Sequence, residues 1–137
     1  MPDHLFAYGT LRAESAHRMA RRLLTGAKLI GKGSAPGILY DFGYYPGATF
    51  AADAGSGVIG DVFALPEDGI LLAELDVYEG TEDEDYHRIT VEVQLKSGDR
   101  ITCWTYQLCS VPERGRVIPS GDFIAHVRAR ESKADRG

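Results

Sequence analysis

The sequence holds little of several things that would otherwise decide its class. It has two cysteines, two methionines and one tryptophan among 137 residues. Cys103 and Cys109 fall six positions apart in one expected strand region, where a local bridge does not fit disulfide geometry, so both read as free buried thiols. No run approaches the ~20 apolar residues that span a bilayer. The opening MPDHLFAYGT has neither a basic region nor a cleavable apolar segment, so a cytoplasmic protein away from membranes is the expectation. Basic residues are also in deficit. Fifteen Lys and Arg against 20 Asp and Glu leave a net charge of −5, which does not suit phosphate neutralisation, and no nucleic-acid partner is expected.

Familiar site signatures are missing too. His4, His17, His87 and His126 are scattered with no ligand spacing, so no metal is implied. Gly31-Lys-Gly-Ser-Ala-Pro-Gly37 resembles a phosphate loop superficially, but Pro36 and the spacing break both common patterns. Gly55-Ser-Gly57 is not a nucleophile elbow, because the five-residue form and the following helix are both lacking. No cofactor is indicated.

What is present suits a globular domain. With 44% hydrophobic and 26% charged residues, the chain can build one core, expected over residues 1–130, with residues 131–137 as a frayed polar tail. The apolar run His4 to Tyr8 reads as a strand ending in a turn at Gly9-Thr10. Ser15 can cap a helix from Ala16 to Leu24, with Met19, Leu23 and Leu24 inward and Arg18, Arg21 and Arg22 outward. From Ala27 to Phe63, repeated Gly and Pro-Gly breaks predict short strands and tight turns, the clearest strand being Gly57 to Leu65.

A second helix is expected over Ile70 to Tyr78, carrying Ile70, Leu71, Leu75 and Tyr78 on one face and stopping at Gly80. Ile89, Val91, Val93 and Leu95 alternate with polar residues, and Ser97-Gly98-Asp99 turns that strand into Arg100 to Leu108. Pro112 to Pro119 reads as a loop, and Ser120 or Asp122 can cap a last helix, Phe123 to Arg130. The fold class is α+β: a small mixed, mostly antiparallel β-barrel flanked by about three helices.

Two features carry chemistry. In Tyr8-Gly9-Thr10-Leu11, a glycine at a strand end leaves successive N–H donors free to hold a carboxylate or a developing oxyanion. Glu79 falls at a helix exit, one turn from Asp76 and beside the run Glu82 to Asp85. The helix dipole and the neighbouring acids both disfavour its charge, which with partial burial would make it a better proton acceptor near neutral pH. On spacing alone, a plain turn and a solvated glutamate are the favoured readings of these residues.

Taken together, Leu5 to Arg12, Gly37 to Gly47, Gly60 to Phe63, Leu75-Asp-Val-Tyr-Glu-Gly80, Tyr86-His-Arg88 and Ser120-Gly-Asp122 resemble the γ-glutamylcyclotransferase family, in particular its AIG2-like branch, which includes γ-glutamylamine cyclotransferases. The blocks follow the family's order over nearly the whole chain. The resemblance implies a six-stranded or similar small barrel with a cavity at its mouth. It assigns Tyr8, Gly9, Thr10 and Leu11 to the α-amino and α-carboxylate end of a small γ-glutamyl substrate, makes Glu79 the catalytic acid, and sets Tyr86 in the cavity wall. Trp104 and Tyr106 are expected to pack the sheet. The implied reaction is intramolecular attack of the substrate's α-amine on its γ-carbonyl, releasing 5-oxoproline with no covalent nucleophile. Two alternatives stand beside it: a non-catalytic module that binds a γ-glutamyl-like metabolite, and acyl transfer on a different amide.

Overall fold

A computed structural model of the chain describes residues 3–9, 18–42, 46–78, 86–108 and 115–136. Its strands are β1 (His4–Ala7), β2 (Lys28–Asp41), β3 (Pro46–Phe50), β4 (Gly57–Ala64), β5 (Tyr86–Leu95), β6 (Arg100–Leu108) and β7 (Arg116–Val117). The helices are α1 (Arg18–Gly26), α2 (Ile70–Tyr78) and α3 (Phe123–Arg136). Hydrogen-bonded neighbours run β2-β4-β1-β6-β5, and β5 returns to β2 at Gly33↔Leu95 and Ser34↔Gln94, which closes a five-stranded ring. Only the β1–β6 contact is parallel. The ring has five strands, with β3 paired to the far half of β2 outside the closed circuit, and is the small, mixed, mostly antiparallel barrel flanked by helices that was expected.

The expected series of short strands between Ala27 and Phe63 is corrected at β2, a single 14-residue strand. Its glycines and proline shape the strand instead of ending it. The register with β4 slips between Leu29 and Gly31, a bulge that bends the strand around the ring. At Gly33 an added Cβ would lie 2.6 Å from Val93 Cγ1 and 3.0 Å from the Gln94 carbonyl, so the absent side chain is what lets β5 approach and close the ring. Pro36 is the last residue paired with β4, and Gly37 is the first paired with β3. A residue with no N–H sits at the change of partner, where a ladder bond is dispensable.

Alternation on the strands divides the interior in two. Phe6, Ala35, Leu39, Val58, Val62, Val93 and Cys103 form one buried cluster drawn from every strand of the ring, with Phe123 of α3 against it. Leu5, Ala7, Phe63, Tyr106 and Leu108 face the other way, under Leu23 of α1 and Leu71 and Leu75 of α2. On β5 only Val93 of the expected apolar row is fully buried, while Val91 and Leu95 are partly covered.

The helices start and stop for local reasons. In α1, Leu23 is buried but Leu24 is 41% exposed, so only the first belongs to the inner face. Asp68 accepts the Ile70 N–H at 3.0 Å at the start of α2. Ile70 itself is 59% exposed, contrary to expectation, and among the described side chains the buried stripe of α2 is the i, i+4 pair Leu71 and Leu75; the side chain of Tyr78, also expected there, lies outside the description. Asp122 caps α3 through Ala125 N–H at 3.2 Å. That helix continues to Arg136 instead of stopping at Arg130, through residues such as Glu131, Lys133 and Ala134 that favour helix. Within the expected loop Pro112 to Pro119, Arg116 and Val117 pair with Asp41 and Tyr40.

Gly33→Ala is expected to destabilise the fold by about 1–3 kcal/mol through overpacking at the closing seam. Val77→Ala, at a side chain 68% exposed, should change it by less than about 0.5 kcal/mol. Urea unfolding midpoints for the two variants measure the difference.

Candidate active site

β1 and β6 run parallel, so the end of β1 at Ala7, followed by Tyr8 and Gly9, lies toward the same end of the ring as the end of β6 at Leu108 and, across the antiparallel ladder, the start of β5 at Tyr86. Three of the residues expected to bind substrate thus gather at one mouth of the barrel. Tyr8 is 7% exposed and donates its hydroxyl to the Tyr106 carbonyl at 2.6 Å, with its ring edge-on to Phe50 at 5.7 Å. Tyr86 is 8% exposed and donates to the Pro46 carbonyl at 2.9 Å. Both phenols hold backbone in place.

Pro46 joins these parts. A Cβ on Gly9 would lie 2.6 Å from Pro46 Cγ, and a Cβ on Gly47 would lie 2.6 Å from Leu108 Cδ2. Gly9 is therefore required by a close approach of the β1 end to the start of β3, and Tyr86 fixes that start from the other side. Pro46 was quoted in the sequence as part of a motif, but its contact with Gly9 has no signature in spacing.

α2 is bound to this end of the sheet by polar contacts that the sequence reading did not find. Asp76 accepts from the Tyr106 hydroxyl at 2.7 Å on one oxygen and from Arg88 Nη1 at 2.8 Å on the other. Both charged partners are about a quarter exposed, 28% for Arg88 and 27% for Asp76. The Arg88 guanidinium also lies over the Trp104 ring, 4.5 Å from its centroid. Tyr106 and Trp104 do pack the sheet, as expected, but Tyr106 does more: its carbonyl accepts from the Tyr8 hydroxyl, and its own hydroxyl donates to Asp76. No sequence signal singles out this pair, because the acidic run Glu82 to Asp85 lies nearer to Arg88 than Asp76 does. Asp76, counted above as a like-charged neighbour of Glu79, has its charge partly balanced by this arginine.

Glu79, Thr10 and Leu11 lie outside the described residues. α2 is described as far as Tyr78, the residue before Glu79 in the sequence. Cys103, the one thiol described, is fully buried, and that burial pushes its pKa up to about 12, which removes it as a nucleophile near neutral pH. A cavity of about 430 Å³ opens elsewhere, where β2 and β5 diverge beyond their short pairing, lined by Ser34, Pro36, Val91, Glu92, Gln94 and Arg100 among others. Of the expected site residues that are described, Tyr8, Gly9 and Tyr86, none lines it. Among the described residues no helix is long and apolar enough to cross a membrane.

A closed five-strand mixed barrel with helices against it is the architecture of several solved structures. YkqA from Bacillus subtilis is 26% identical with a TM-score of 0.75, covering 96% of this chain and 43% of its own. This chain thus spans less than half the length of that relative. The uncharacterized protein PH0828 from Pyrococcus horikoshii is 25% identical, with a TM-score of 0.67 over 95% of this chain and 96% of its own. An AIG2-like protein from Mus musculus, 24% identical with a TM-score of 0.67, covers 81% of this chain and 80% of its own and supports the fold. No match was found among curated proteins. The model of the family described as gamma-glutamyl cyclotransferase, AIG2-like, matches residues 5–125, and the chain belongs to that family.

Two outcomes test this local account. Gly9→Ala should destabilise the protein by about 1–3 kcal/mol, and Pro46→Ala in the same chain should recover part of the loss, giving a non-zero coupling in a double-mutant cycle on urea unfolding. With Cys109 replaced by Ser, Ellman's reagent at pH 8 should leave Cys103 unmodified in the native protein and label it fully in urea.

Proposed function

We propose that this chain, acting as one domain, is a cyclotransferase that converts γ-glutamyl amines or γ-glutamyl amino acids into 5-oxoproline and the free amine. The observation that carries this reading is the chain of contacts at one mouth of the barrel. Tyr8, Gly9 and Tyr86 meet there, and Tyr106 connects Tyr8 to Asp76 in the last turn before Glu79. Membership of the family supports the reaction class.

The reaction asks little covalent chemistry of the protein. A γ-glutamyl group carries its own nucleophile, and folding it so that the α-nitrogen meets the γ-carbonyl carbon supplies much of the rate. Glu79 takes a proton from the α-ammonium. The freed amine attacks the γ-carbonyl, forming the ring C–N bond and a tetrahedral oxyanion. As that intermediate collapses, the original amide C–N bond breaks, Glu79 returns its proton to the leaving nitrogen, and the second proton of the ring nitrogen passes to the same amine, which departs as an ammonium. One carboxylate serves both steps, and no water is consumed. Backbone N–H groups from Gly9 to Leu11 are the donors for the substrate's α-carboxylate or for the oxyanion.

Glu79→Gln keeps the size of the side chain and removes its basicity, so release of 5-oxoproline should fall by on the order of 10²–10⁴-fold while the thermal midpoint stays near that of the parent. Mass spectrometry of a panel of γ-glutamyl compounds provides the readout. Turnover retained in the variant contradicts the proton-shuttle role, and binding without product across the panel favours a non-catalytic module.

A further inference from the structure

We infer that Arg88, Asp76 and Tyr106 form a clamp that positions the exit of α2, and that through it Tyr106 and Arg88 set the catalytic rate without touching substrate. The inference rests on Glu79 being the proton shuttle. Asp76 lies three positions before Glu79 in the sequence and two before the last described residue of α2, so fixing Asp76 fixes the end of the segment that leads to Glu79.

Three features separate this arrangement from an incidental surface ion pair. Both oxygens of the Asp76 carboxylate are used, one by Tyr106 at 2.7 Å and one by Arg88 at 2.8 Å, which fixes the rotation of the carboxylate as well as its position. The two donors come from directly paired positions, since Arg88 and Tyr106 are register partners on β5 and β6. The helix is thus tied to two adjacent strands at one level. Arg88 is restrained in turn by Trp104, over whose ring it lies at 4.5 Å. The pair Arg100 and Glu92 on the same two strands shows the contrast: 3.3 Å apart, 70% and 62% exposed.

The clamp also leads back to the substrate-binding strand. The Tyr106 hydroxyl holds α2 and the Tyr106 carbonyl accepts from the Tyr8 hydroxyl, so one residue sets the spacing between the β1 end and the α2 exit. For a reaction whose rate depends on holding a base against a folded substrate, an error of about 1 Å in that spacing can cost on the order of 100-fold.

The test compares Tyr106→Phe, Arg88→Met, Arg88→Lys and Arg100→Met with the parent and with Glu79→Gln. 5-Oxoproline release from γ-glutamyl-alanine and γ-glutamyl-butylamine is measured well below each thermal midpoint. Tyr106→Phe and Arg88→Met should lower kcat by roughly 10- to 100-fold with KM changed less than about threefold. Arg88→Lys should recover part of the loss, and Arg100→Met should match the parent. Loss of stability alone would lower the midpoint and leave kcat per folded molecule unchanged. If Arg88→Met does not fold, Tyr106→Phe, which keeps the ring and removes one hydroxyl, decides the matter. Parental kcat in Tyr106→Phe and Arg88→Met, with Glu79→Gln inactive, overturns the clamp and leaves the shuttle standing. Full turnover in Glu79→Gln overturns the shuttle and the clamp with it.

Discussion

Closure of the ring at Gly33 is the constraint on which the rest of the molecule depends. β5 meets β2 at only two positions, and a Cβ on Gly33 would strike Val93 at 2.6 Å. Without that approach the sheet would stay open, with β2 and β5 as free edges. With it, the Phe6 and Val93 cluster is enclosed, and the ends of β1 and β6 are held beside the start of β5. The candidate site is a consequence of closure: its residues are far apart in sequence and share only an end of the barrel.

Around that end the fold relies on polar bonds to the backbone more than on charge. The phenols of Tyr8 and Tyr86 each donate to a carbonyl on another strand, so neither of these two buried hydroxyls is left unpaired. Asp76 is the exception, a carboxylate about a quarter exposed whose partners are a phenol and a guanidinium. It ties the helical layer to the sheet where apolar packing by Leu71 and Leu75 has already set the distance.

How much of this was legible in the sequence follows from which contacts are local. α2 from Ile70 to Tyr78 and the hairpin at Gly98, whose φ is 95°, depend on neighbours in the chain and were read with their boundaries. β2 was misread as several short strands because Gly33 and Pro36 look like breakers when their partners are unknown. Their roles appear only beside Val93 and at the change of partner from β4 to β3. At the candidate site, Tyr8, Gly9 and Tyr86 were expected from motif resemblance, whereas the bonds of Pro46 to Tyr86, Tyr106 to Asp76 and Tyr106 to Tyr8 span 30 or more positions that no local pattern encodes. Ile70 shows the converse error, since apolar character placed it on the inner face and the helix turns it to solvent.

In the proposed function, the γ-glutamyl group sits between the Tyr8–Gly9 strand end and Glu79. A crystal structure with 5-oxoproline bound tests it most directly. The account predicts the product's carboxylate or ring oxygen against backbone N–H groups at Gly9 to Leu11, with its lactam nitrogen within hydrogen-bond distance of Glu79. Product bound instead in the groove between β2 and β5, or at the barrel mouth with Glu79 turned away, would contradict it.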